Sequence, residues 1–85
     1  MADVLIYTKD YCPYCHKAKA LLDQLEQSYT EIDLLEFPEK RDEMIEKADG
    51  HTTVPQIFIN DEHIGGCDEL YDLHAKGGLE EKLKN

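Results

Sequence analysis

Val4-Leu5-Ile6-Tyr7-Thr8-Lys9-Asp10-Tyr11-Cys12-Pro13-Tyr14-Cys15 is the stretch on which the reading of this 85-residue chain turns. Val4 to Tyr7 is a short apolar run of strand formers, closed by Thr8-Lys9-Asp10, and reads as a buried strand. From Pro13 onward the period becomes helical. Ala18, Leu21, Leu22 and Leu25 fall at i, i+3, i+4 and i+7 and make one apolar face. Cys12 therefore stands where a strand gives way to a helix. The first turn of a helix leaves N–H groups unpaired and favours negative charge. A thiol placed there loses its proton more readily, and the thiolate is the nucleophile. Pro13 suits the first helical position, where its missing N–H costs nothing, and Lys9 adds positive potential nearby. Cys15 returns to the same face one turn later, so the two sulfurs can bond with little backbone movement. The expectation is an exposed Cys12 and a shielded Cys15.

Outward from this centre, Tyr29 to Leu34 reads as a second strand, with Thr30, Ile32 and Leu34 on one side. Pro38 and Gly50 suit the start and end of a second helix with a thin apolar face of Met44, Ile45 and Ala48. Gln56 to Asn60 is a third strand, Asn60-Asp61-Glu62 a polar turn, and His63-Ile64-Gly65 the returning strand of a hairpin. Helical spacing resumes from Asp68 to His74, and Gly77-Gly78 precedes a last short helix through Leu83. The order β-α-β-α-β-β-α implies a parallel pair from the strand–helix–strand unit, followed by an antiparallel hairpin. The expected fold is α/β: one domain over residues 1–85, a four-stranded mixed sheet with helices on both faces.

Composition narrows the function. Net charge is −10, and a field of that sign repels phosphate backbones and anionic lipid, so neither nucleic acid nor a membrane surface is an expected partner. No segment approaches the ~20 apolar residues that span a bilayer. Met1-Ala2-Asp3 lacks a basic region followed by an apolar run, so a cytoplasmic chain is expected, with a monomer as the default. Three cysteines are too few, and odd in number, for a disulfide-stapled secreted miniprotein. In a reducing compartment a C-x-x-C pair points to redox chemistry or to a metal. Structural zinc needs two further ligands. Cys67, His16, His51, His63 and His74 are available, but no second paired motif exists. Cys12-Pro13-Tyr14-Cys15-His16 also fits the c-type haem attachment pattern, which normally belongs to exported proteins.

Three motifs together carry a resemblance. Cys12-Pro13-Tyr14-Cys15 follows the first strand, Thr53-Val54-Pro55 precedes the third, and Gly65-Gly66-Cys67-Asp68 follows the fourth. In this order and spacing the chain resembles a dithiol glutaredoxin of bacterial type over nearly its whole length. The resemblance implies a thioredoxin fold and glutathione as co-substrate, with no tightly bound cofactor and no metal. It implies an enzyme that reduces protein–glutathione mixed disulfides and protein disulfides, ribonucleotide reductase being one candidate substrate. Cys12 and Cys15 are then the catalytic pair.

The same resemblance assigns a glutathione site, and each assignment has a physical reason. Val54-Pro55 is implied to be a cis peptide, which turns the Val54 backbone toward the active site to pair with the tripeptide as an added strand would. Thr53 belongs to the same segment. Gly66, Cys67 and Asp68 open a helix, so the N–H groups of Cys67 and Asp68 can receive a carboxylate and the Asp68 side chain an amino group. Lys9 and Arg41 are candidates for the glycyl carboxylate, and Tyr14 for a wall of the site. These contacts would supply locally the positive potential that the net charge denies, since distant charges are screened beyond ~8 Å. Cys67 departs from many relatives; its backbone serves ligand while its thiol is either idle or a site of regulatory oxidation. Two alternatives remain alongside: reduction by thioredoxin reductase, and an iron–sulfur cluster bridging two subunits. Relatives of the latter type generally have glycine or serine where Pro13 and Cys15 stand.

Overall fold

The computed structural model describes residues 2–84. Strand β1 (Val4–Thr8) leads into helix α1 (Pro13–Gln24), followed by β2 (Thr30–Asp33) and α2 (Arg41–Lys47). The hairpin β3 (Gln56–Ile59) and β4 (Glu62–Gly65) follows, then α3 (Cys67–Ala75) and α4 (Gly78–Leu83). The sheet order is β2-β1-β3-β4. β1 pairs parallel with β2 and antiparallel with β3, and β3 pairs antiparallel with β4. This is the mixed four-stranded α/β arrangement expected from the sequence, a thioredoxin fold.

Alternation along the strands feeds two cores. Val4, Ile6, Ile57 and Ile59 face one way and pack with Ala18, Leu21 and Leu22 of α1, Leu70 of α3, and Leu79 and Leu83 of α4. Tyr7 and Phe58 face the other way and pack with Leu34, and with Met44 and Ala48 from the α2 region. The Tyr7 and Phe58 rings meet edge to face at 5.8 Å. β1 is central and covered on both sides, which is why its sequence is a continuous apolar run rather than an alternation.

The turns follow local chemistry. Asn60 and Asp61 both take positive φ, 51° and 67°, the geometry of a two-residue hairpin turn that these side chains tolerate. The second helix differs from expectation at both ends. Pro38–Lys40 forms a 3₁₀ turn, and α2 proper runs only from Arg41 to Lys47. It stops because Asp49 and Gly50 turn left-handed, and the Gly50 N–H closes onto the Ile45 carbonyl at 2.9 Å. The β3–β4 register slips by one between Ile57 and Phe58, so Ile57 faces Gly65 while Phe58 faces His63.

Candidate active site

The C-terminal ends of the parallel strands β1 and β2, the start of β3 and the start of α3 converge on one end of the sheet. Cys12 is the N-cap of α1, with extended φ and ψ and Pro13 at the first helical position. Its backbone N–H donates to the Lys9 carbonyl at 3.0 Å, and its own carbonyl accepts from His16 N–H at 3.2 Å. The Cys12 sulfur in turn accepts the Cys15 N–H at 3.2 Å, so the sulfur fills the role that a serine or aspartate oxygen takes at other caps. This is the geometry expected at a helix tip.

Exposure is a correction. Cys12 was expected to be exposed, but it retains only 8% of its accessible surface, against 0% for Cys15. The cause is a segment distant in sequence. The Val54–Pro55 peptide is cis, and the Val54 carbonyl lies 3.8 Å from the Cys12 sulfur. Burial, followed by the Cys12 sulfur alongside, pushes the Cys15 thiol up to about 12. All three cysteines are free thiols.

Beside this pair is an open cleft of about 260 Å³. Tyr14, 60% exposed, forms one wall, and Thr53, Val54 and Pro55 form another. Gly66, Cys67 and Asp68 close it from the start of α3. Seven of the residues assigned to ligand by resemblance thus line one cleft. Lys9 and Arg41 do not line it: Lys9 is half-buried after β1, and Arg41 is exposed at the start of α2. The Cys67 side chain turns into the core, where burial raises its thiol above the ordinary range. Its helix begins one residue before the expected Asp68.

Two side chains of this region were not singled out in the sequence. Glu69 lines the cleft, and its Oε1 accepts the Gly66 N–H at 2.7 Å. The signal was available, because Glu69 follows Gly66 at the three-residue spacing of a capping box. Gln56, buried at the start of β3, donates to the Thr53 carbonyl at 3.0 Å and to its hydroxyl at 3.3 Å.

A polar cluster lies under the dithiol. Lys19, one turn beyond Cys15 on α1, bonds Glu31 of β2 at 2.9 Å, and the buried Thr8 hydroxyl donates to the same oxygen at 2.7 Å. Burial works against ionising Glu31, but Thr8 and Lys19 outweigh it and hold the carboxyl below its ordinary value. The bond to Glu31 raises Lys19, which keeps its charge.

Comparison with known proteins agrees with this geometry. The family model described as Glutaredoxin matches residues 4–64. Glutaredoxin 3 of Escherichia coli strain K12 is 57% identical over 84 residues, spanning 99% of this chain and 100% of that protein. The solution structure of glutaredoxin from Brucella melitensis superposes with a TM-score of 0.84 at 51% identity, covering 99% of this chain and 90% of that one. The crystal structure of a buckwheat glutaredoxin–glutathione complex superposes with a TM-score of 0.87 at 34% identity, covering 96% and 76% respectively. The chain belongs to the glutaredoxin family and is a thiol–disulfide oxidoreductase.

Proposed function

We propose that this protein reduces protein–glutathione mixed disulfides and protein disulfides at the expense of glutathione, through Cys12 and Cys15. The observation that carries the reading is the Cys12 sulfur at a helix N-cap, under the Val54 carbonyl, next to a cleft ending at Gly66, Cys67 and Asp68. Val54 offers main-chain groups for an extended tripeptide. The start of α3 offers N–H groups to a carboxylate, and the exposed Asp68 carboxylate pairs with an amine. The buckwheat relative crystallised with glutathione supports the same occupant here.

In the first cycle the Cys12 thiolate attacks the glutathione sulfur of a mixed disulfide. The protein leaves as thiolate and Cys12 keeps the glutathione in a disulfide. A second glutathione thiolate attacks that glutathione sulfur, releasing glutathione disulfide and the Cys12 thiolate. The Cys15 N–H and the end of α1 are the donors that meet negative charge on the Cys12 sulfur.

With a protein disulfide, Cys12 attacks one sulfur and the other leaves as thiolate. Cys15 then gives up its proton and attacks Cys12, releasing the second substrate thiolate and forming the Cys12–Cys15 disulfide. Two glutathiones reduce it. Cys15 stays protonated while Cys12 is anionic, because burial and the neighbouring sulfur both raise it. Once Cys12 is bound in a disulfide its negative charge is gone, and that part of the barrier to ionising Cys15 goes with it. The two thiols are thereby used in order.

Turnover of a glutathionylated peptide, coupled to glutathione reductase, tests this. Cys12→Ser should abolish it. Cys15→Ser should retain it and lose reduction of a protein disulfide. Native-rate turnover by Cys12→Ser, or support by thioredoxin reductase in place of glutathione, would overturn the reading.

A further inference from the structure

Gln56 is a buried polar side chain that the dithiol chemistry does not use. It is 2% exposed and shares a sheet face with Phe58, two residues on. Burying an amide is costly unless its polar atoms are bonded, and an aliphatic residue would fill this position without that cost. Its bonds fix its orientation. The Thr53 carbonyl can only accept, so the Gln56 amide nitrogen faces Thr53 and Oε1 faces away. Oε1 lies 2.7 Å from His63 Nε2, and since Oε1 also only accepts, the imidazole proton must sit on Nε2. Burial, then the proximity of His51, holds His63 below its ordinary value, so the ring is neutral at neutral pH with Nδ1 unprotonated.

The ring has little freedom. His63 packs on Phe58 with centroids 5.1 Å apart and on His51 at 5.6 Å. The register slip between Ile57 and Phe58 sets His63 opposite Phe58, on the face that Gln56 shares. Residues 51–55 between α2 and β3 belong to no helix or strand, yet Val54 of this segment faces the Cys12 sulfur.

We propose that His63 is a positioning residue for the glutathione cleft: its Nε2–H orients Gln56, Gln56 holds Thr53, and Thr53 sets the Val54 main chain beside Cys12. This rests on the glutathione reading above. His63 is not among the residues that line the cleft and bonds neither sulfur, so it acts on binding of the tripeptide rather than on sulfur chemistry.

The test measures steady-state kinetics of His63→Leu, His63→Gln, Gln56→Leu and the His63→Leu/Gln56→Leu double variant. It also measures hydrogen exchange of the Gln56 side-chain amide by NMR in the protein without glutathione. One lost neutral hydrogen bond should raise KM for glutathione about five-fold in His63→Leu and leave kcat within about two-fold. His63→Gln should stay near wild type, because its Nε2 can donate in place of the imidazole. The double variant should match Gln56→Leu alone, and the Gln56 amide should exchange about ten-fold faster in His63→Leu. If His63→Leu does not fold, His63→Asn, too short to reach Oε1, takes its place. An unchanged KM, a His63→Gln variant as poor as His63→Leu, additive losses in the double variant, or unchanged amide exchange would each overturn the proposal. If the wild type shows no turnover with glutathione, the substrate reading fails, and amide exchange alone then decides the positioning role.

Discussion

Lys19 Nζ and Glu31 Oε2 stand 2.9 Å apart, tying the face of α1 that bears Cys15 to strand β2. Cys15 and Lys19 are four residues apart on one helix, so their side chains are neighbours. The Glu31 carboxyl sits below its ordinary range, so its folded value is lower than its unfolded one. Stability from this pair is therefore present above the unfolded value and lost as pH falls through the folded one. Glu31→Gln should cost about 0.5–1 kcal/mol at pH 7, since both groups are partly solvated. Urea titrations of wild type and variant should differ at pH 7 and converge as pH falls through the folded value of Glu31.

Alkaline stability should report on Cys15. Its folded value, about 12, lies above the value of 9.0 for a free thiol. Between those values the unfolded chain releases a proton that the folded chain keeps. Stability is therefore complete below pH 9 and declines as pH rises, by up to about 1.4 kcal/mol per pH unit. Denaturant titrations of reduced protein at pH 8, 9 and 10 should show a steeper decline for wild type than for Cys15→Ser.

Alkylation should distinguish the three thiols. Cys12 keeps 8% of its surface, against 5% for Cys67 and 0% for Cys15, and burial raises both Cys15 and Cys67. Brief treatment with iodoacetamide, followed by peptide mass analysis, should label Cys12 first. Cys15 and Cys67 should react at comparable rates only after denaturation. Early labelling of Cys67 would contradict its placement.

Gly65 and Glu69 form a second coupled pair. Gly65 has φ +119°, and a Cβ there would meet Glu69 Cγ and Oε1 at 2.9 Å. Gly65→Ala should cost about 1–3 kcal/mol from backbone strain, and displace Glu69 from the Gly66 N–H. Glu69→Ala alone should cost about 1 kcal/mol. In the double variant the contacts with Cγ and Oε1 disappear while the 3.0 Å contact with Cβ and the strain remain, so the two costs should sum to more than the combined loss measured by thermal unfolding.

Much of this fold was legible because its signals are local. Val4 to Tyr7 is apolar throughout since β1 is covered on both faces, and the α1 stripe at Ala18, Leu21 and Leu22 has a plain helical period. Asn60-Asp61 declares its turn through the side chains that tolerate positive φ. The division of the second helix was not legible, because Pro38–Lys40 carries no apolar face to show which way it winds. In the site, the N-cap role of Cys12 followed from the strand-to-helix switch, and the cleft residues from family resemblance. The covering of Cys12 did not follow from its own neighbourhood, because Val54 arrives from 42 residues away. The His63–Gln56 bond depends on a register slip that leaves no mark in composition.

The cleft takes its walls from three stretches of chain: Tyr14 on α1, Thr53 to Pro55 before β3, and Gly66 to Glu69 at α3. Each wall is held by a different part of the tertiary structure, so none survives alone. A peptide trimmed to the dithiol loop would inherit both sulfurs and only one of the cleft's walls. Turnover in this protein is accordingly a gauge of the whole chain's integrity, failing as a unit rather than fading piece by piece.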